Sequence, residues 1–190
     1  MTPVQTVPAQ QRRVDESRVP VRSDSRLWLE GSSNIRDWTC RATTLEATIE
    51  VGSPETPYGA TDAVRGVAVR VPVQMLKCGD RHMEAQMYAA LKSSASAPGF
   101  ITAQVGRIPM GIVPGQAIQT EATLNIAGVE KKMKVSVIAD VLPDGTRRAR
   151  GTVPILMTDF GISPPHPWGG LLRTADKVLI QFEIFVAPQT

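Results

Sequence analysis

From Val19 to the C-terminus, apolar residues recur mainly at every second position. Leu27 and Leu29 fall on one face, with Trp28 and Glu30 on the other. Leu45, Ala47, Ile49 and Val51 repeat the pattern against Glu46, Thr48 and Glu50. The series continues with Val67, Val69, Val71 and Val73, then Ala122, Leu124 and Ile126, then Met133, Val135, Val137, Ala139 and Val141. It closes with Val178, Ile180, Phe182, Ile184 and Val186. A period of two with one polar face predicts antiparallel strands burying a single face. Turn chemistry sits between the runs, at Ala127-Gly128 and at Pro143-Asp144-Gly145. The count is eight or nine strands. Long consecutive antiparallel strands curl and close, which removes their edges. The expected fold class is therefore all-β, an extended antiparallel eight-stranded lipocalin-like barrel. At that size the interior either fills with side chains or holds one small ligand.

One segment breaks the period. Residues 80–92 read as a helix, with Asp80 as its N-cap and Glu84 in its first turn. Met83, Met87 and Ala90 or Leu91 make one apolar stripe. Three turns of helix suffice to lie across one mouth of a barrel. Residues 1–16 carry no periodicity and read as a flexible N-terminal segment, leaving residues 17–190 as the barrel domain.

Composition narrows the function classes. With 190 residues, 42% hydrophobic and 21% charged, the chain has enough apolar content for one sizeable core. The net charge of +3 is spread out, and aromatic residues make up only 5%. A nucleic-acid reader would carry a basic stripe interleaved with aromatics, so no nucleic-acid partner is expected. Arg147, Arg148 and Arg150 form the densest basic cluster and read first as a solvated turn and strand edge, with an anionic headgroup contact as the lesser reading. No apolar run reaches membrane-spanning length, and no signal-peptide core is present.

Catalytic constellations are weak. The letters of Asp159-Phe160-Gly161 match a kinase magnesium motif, but the other kinase signatures are missing, and the segment reads as a strand end turning at Gly161. The two histidines, His82 and His166, stand in no nucleophile context. Asp and Glu fall mostly on outward strand positions and offer no inward pair. No catalytic residue, no metal site and no enzymatic activity are expected. Met75, Met83, Met87, Met110, Met133 and Met157 suit either core filling or contact with a flexible apolar ligand. Cys40 and Cys78 have no zinc-site spacing. Two buried thiols or a disulfide remain, the latter preferred because Cys40 lies in one predicted strand and Cys78 at the end of the next long one.

Four segments in this order and spacing resemble the YceI-like domain family: LEGSSNIRDW at 29–38; VPVQMLKCG at 71–79 with the helix RHMEAQMYAAL at 81–91; ATLNIAGV at 122–129; and DFGI at 159–162, followed by the strand beginning DKV at 176–178. The resemblance spans residues 17–188. It departs after the 127–128 hairpin, where Glu130-Lys131-Lys132-Met133 lacks the usual proline. It implies a lipocalin-like barrel with an apolar tunnel, in periplasmic or secreted proteins, for a polyisoprenoid, quinone or fatty-acid lipid, with no other cofactor. It also resembles a branch of the family with cysteines at the positions of Cys40 and Cys78, which implies a disulfide between them. The expected ligand-binding residues are Met83, Met87 and Leu91 from the helix, with Phe100, Phe160, Trp168 and Leu171 near the loop-bearing mouth. The expected function is to carry or sequester such a lipid. The alternative is a structural or interaction protein whose barrel is filled by its own side chains, acting through its surface or as a homodimer.

Overall fold

The computed structural model describes residues 18–51, 64–108, 114–166 and 170–188. The expected boundary at 16/17, Met110 and Trp168 lie outside the described residues. Eleven strand segments form one sheet. They are β1 (Arg18–Pro20), β2 (Arg26–Ser33), β3 (Asp37–Ala42), β4 (Glu46–Val51), β5 (Val64–Pro72), β6 (Leu76–Lys77), β7 (Phe100–Val105), β8 (Ala117–Ile126), β9 (Val129–Val141), β10 (Arg147–Leu156) and β11 (Thr174–Val186). Among the described residues one α-helix, α1 (Arg81–Ala90), follows β6.

The eleven segments are eight long strands, because three strands are each broken once. Pairs β1·β4 and β2·β3 belong to the same two broken strands, with the register shifted by one residue between them: Val19 stands opposite Ile49 and Leu29 opposite Cys40. Pairs β4·β5 and β3·β6 join the next two in the same way, with the register shifted by two residues: Glu46 stands opposite Arg70 and Arg41 opposite Lys77. The breaks in β3/β4 and β5/β6 meet, where the Thr43 amide donates to the Met75 carbonyl at 2.8 Å. The β1/β2 break is held by β11, whose Phe185 carbonyl accepts from the Arg22 amide at 2.8 Å. Each later strand pairs with its predecessor, from β5·β7 to β10·β11, and β11 returns to pair with β2. The meander therefore closes on itself as a barrel, which is the expected all-β class.

The core lies inside the ring. Leu27, Leu29, Cys40, Val71, Ile101, Leu124, Val135, Val153 and Ile180 are all buried and share the inward parity of their strands. The β8–β9 connection is a two-residue turn with positive φ at both Ala127 and Gly128, the backbone that matches strand twist. Helix α1 starts one residue after its expected cap. The Asp80 carboxylate accepts from the amides of His82 and Met83 at 2.9 and 3.0 Å. It ends two residues before Lys92, whose positive φ turns the chain away. Cys40 and Cys78 form a disulfide across 38 residues of sequence, so neither is a free thiol.

Candidate functional site inside the barrel

Among the described residues, two apolar chambers lie in the barrel interior. The smaller, of about 180 Å³, lies under α1. Leu29, Ile101, Ile126, Ile155, Val178 and Ile180 form its walls, and Met83, Met87, Ala90 and Leu91 cover it. The larger, of about 460 Å³, occupies the other end. Its walls come from β1, β2, β4, β5 and β7 to β11, among them Val19, Leu27, Val69, Ala103, Ala149 and Phe182. Ile101 and Ile180 belong to both linings, so the chambers meet at these two side chains. Val69, Ala103, Val105, Ala149 and Phe182 point inward yet are only partly buried, because they face open lumen rather than one another.

Local chemistry sets the helix over its chamber. The Cys78 amide donates to the Glu84 carboxylate at 2.9 Å, and the Tyr88 hydroxyl donates to the Leu76 carbonyl at 2.8 Å. Lys77 donates to the Tyr88 hydroxyl at 2.9 Å, and that bond first, with Glu84 nearby, holds its ammonium above the usual lysine range. The disulfide ties the segment before the helix to β3. The chamber's polar rim is Ser33, Arg36, Asp80, His82 and Gln86. Asp80 is held below the usual carboxylate range, chiefly by the Met83 amide, then by the His82 amide and by Arg36 at 3.7 Å.

The expected ligand-binding residues divide by position. Met83, Met87 and Leu91 line the smaller chamber together. Phe100 sits on the opposite parity from buried Ile101, and its ring lies against the Arg70 guanidinium at 3.6 Å, outside the lumen. Phe160 is fully buried in the turn after β10 and packs in the core without lining either chamber. Leu171 is 75% exposed, and its neighbour Leu172 takes the place on the chamber wall. Of the methionines, Met157 joins Met83 and Met87 at the smaller chamber, whereas Met75 is exposed.

The larger chamber was not anticipated by any expected site residue. Its signal is the run of small inward side chains at Ala103, Ala122, Ala139 and Ala149, which leave space that leucines would fill. At its mouth the basic cluster is more engaged than a solvated edge. Arg148 pairs with Asp140 at 2.8 Å and with Glu183 at 3.6 Å, and Arg150 reaches Asp140 at 3.7 Å. Arg26 also pairs with Glu183. Arg148 is therefore committed to protein carboxylates.

Among the described residues no group of three or more metal-ligating side chains comes together, and no helix is long and apolar enough to cross a membrane. No family model matches the chain. No curated protein matches it in sequence. Solved structures do match in fold. Burkholderia cenocepacia BcnA is 17% identical, with 87% of this chain and 98% of that one aligned at a TM-score of 0.66. A polyisoprenoid-binding domain from Saccharophagus degradans, implicated in plant cell wall breakdown, is 13% identical over 91% and 99% of the two chains, also at 0.66. The Campylobacter jejuni YCEI protein is 13% identical over 84% and 85%, at 0.56. The chain thus has the fold of the YceI proteins, as its sequence segments lead one to expect.

Proposed function

We propose that the protein binds one long apolar lipid inside the barrel, of polyisoprenoid, quinone or fatty-acyl type, and carries or sequesters it without transforming it. The observation that carries this reading is the pair of meeting chambers, about 180 and 460 Å³, with almost wholly apolar walls. A cavity of roughly 150 Å³ takes a benzene ring. On that scale the larger chamber has room for roughly eighteen carbons and the two together for roughly twenty-five. Each buried methylene contributes about 0.8 kcal/mol before ordering costs, so a chain of that length binds tightly enough to be carried. A lipid of forty carbons would extend out of a mouth.

The likeness to a polyisoprenoid-binding domain supports the same reading. The Cys40–Cys78 disulfide supports an oxidising compartment, periplasmic or extracellular. A barrel filled by its own side chains is disfavoured by the half-exposed inward residues at Val69, Ala103 and Ala149.

The test is organic extraction of protein purified from its native host, followed by mass spectrometry. A stoichiometric lipid with an apolar chain is the expected result. An empty extract, together with no lipid-competable uptake of a hydrophobic fluorescent probe by the same protein, overturns the proposal.

A further inference from the structure

The level at which the two chambers divide can be followed strand by strand. On β2, Leu29 lines the smaller chamber and Leu27 the larger. Ile126 and Leu124 divide in the same way on β8, and Ile155 and Val153 on β10. On β7 and β11 the boundary falls on a residue rather than between two. Among the described residues, Ile101 and Ile180 alone line both chambers. Both are buried, as are Leu27, Leu29, Leu124, Ile126 and Val153 beside the boundary. Ala103 and Phe182, one step further into the larger chamber, are only half-buried. A layer of packed branched side chains therefore narrows the lumen at this level.

Ring closure sets the two isoleucines across from each other. Of the eight long strands, β7 and β11 lie four apart by either route around the barrel. Both residues are β-branched, so χ1 is held to few rotamers. Beyond them the smaller chamber is lined by Met83, Met87 and Met157, and methionine adapts its shape to what it meets. A stiff pair thus stands between an open chamber and an adaptable one.

We propose that Ile101 and Ile180 form a waist that selects lipids by chain length. A tail of up to roughly eighteen carbons fills the larger chamber and stops at the pair. A longer tail has to part them to reach the smaller chamber. This rests on the lipid-binding reading above and adds to it which tails the barrel prefers. Up to the waist, each added methylene raises affinity by up to about fourfold. Past it, the gain is offset by the cost of displacing packed side chains.

The test is a competition. Delipidated protein is incubated with an equimolar mixture of saturated fatty acids held in solution by cyclodextrin. The mixture runs from about 12 to about 24 carbons, which spans the capacity of one chamber and of both. The bound acids are identified by mass spectrometry, and thermal unfolding confirms that each variant is folded. The wild type is expected to favour the lengths that fill the larger chamber. Ile101→Ala widens the waist and is expected to raise the bound ratio of the longest to the mid-length acids by roughly fourfold or more. Ile101→Val removes a single methyl group and should move the ratio the same way by less. Ile101→Phe narrows the waist and should move it the opposite way. Lost stability alone would lower retention at every length and could not push the variants apart. One length profile shared by the wild type and all folded variants, or a loss uniform across lengths, overturns the waist and leaves lipid binding intact. If the wild type takes up no acid of any length and no hydrophobic fluorescent probe, the lipid-binding reading itself fails, and the waist with it.

Discussion

Replacing Ala103 with phenylalanine tests whether the larger chamber is open space. Ala103 sits mid-strand, opposite Val69 on one side and Leu124 on the other, and faces the lumen. Its half-buried state comes from that lumen. A phenyl group placed there enters a volume of about 460 Å³. If the space is open, the ring is buried without displacing protein atoms, and the burial contributes about 2 kcal/mol. For a chain of this length that raises Tm by roughly 4–8 °C. The same ring obstructs a lipid tail. Ala103→Phe should therefore stabilise lipid-free protein while weakening retention of long-chain ligands more than short ones. The assay is thermal unfolding of delipidated wild type and variant, paired with displacement of a fluorescent probe by fatty acids of increasing length. A variant destabilised by about 1–3 kcal/mol, the cost of overpacking a filled core, would refute the reasoning and restore the side-chain-filled barrel.

Three further outcomes are expected. Reduction and alkylation of Cys40 and Cys78, which close 38 residues of chain, should cost about 2–4 kcal/mol, seen as a Tm lower by roughly 5–15 °C. Ala127→Asn should stabilise the hairpin by up to about 1 kcal/mol in chemical denaturation, because Ala127 holds a φ of 53° that asparagine tolerates better. Asp176, whose carboxyl the Thr158 hydroxyl and then the Thr158 amide hold below the usual range, has a folded pKa under its unfolded one. Its stabilisation is then present above about pH 4 and lost as pH falls through the lowered folded value, so Asp176→Asn should flatten the stability profile in that acid range.

Much of the architecture is legible in the alternation, because every strand hides one face from water and shows the other. The helix is legible from Asp80, whose carboxylate serves two orphan amides. The strand breaks are less so. Val73 stays buried in the turn that interrupts β5/β6, so the period of two runs up to the break without marking it, and the buried positions then pass from odd to even at Leu76. Of the expected site residues, those on the helix stripe come together at one chamber. Phe100 is large and apolar, yet its step in the alternation, out of phase with Ile101 and Ala103, places it against Arg70. Whether an inward residue meets a partner or open lumen depends on barrel radius and on what stands across it. Ala103 and Val71 have the same parity relative to their strands; one faces open space and the other is fully buried. Alternation does not distinguish them; only the smaller side chain at Ala103 does.

The lumen stays open because its two aromatic wall residues lie down rather than stand up. Trp38 faces Gly31, and Phe182 faces Gly151, each as a direct cross-strand pair. A Cβ on Gly151 would fall 2.6 Å from the tip of the Phe182 ring and 2.6 Å from the Ser136 carbonyl, as a Cβ on Gly31 would meet the indole. In both pairs the ring occupies the place of the absent side chain, which screens the exposed backbone and restores packing that glycine forfeits. Turned the other way, each ring would cross the barrel and fill part of a chamber. One pair serves the smaller chamber and the other the larger. These glycines are therefore as much a part of the chamber walls as the side chains that line them: a methyl group at Gly31 would overlap the Trp38 indole, and one at Gly151 would overlap both the Phe182 ring and the Ser136 backbone carbonyl.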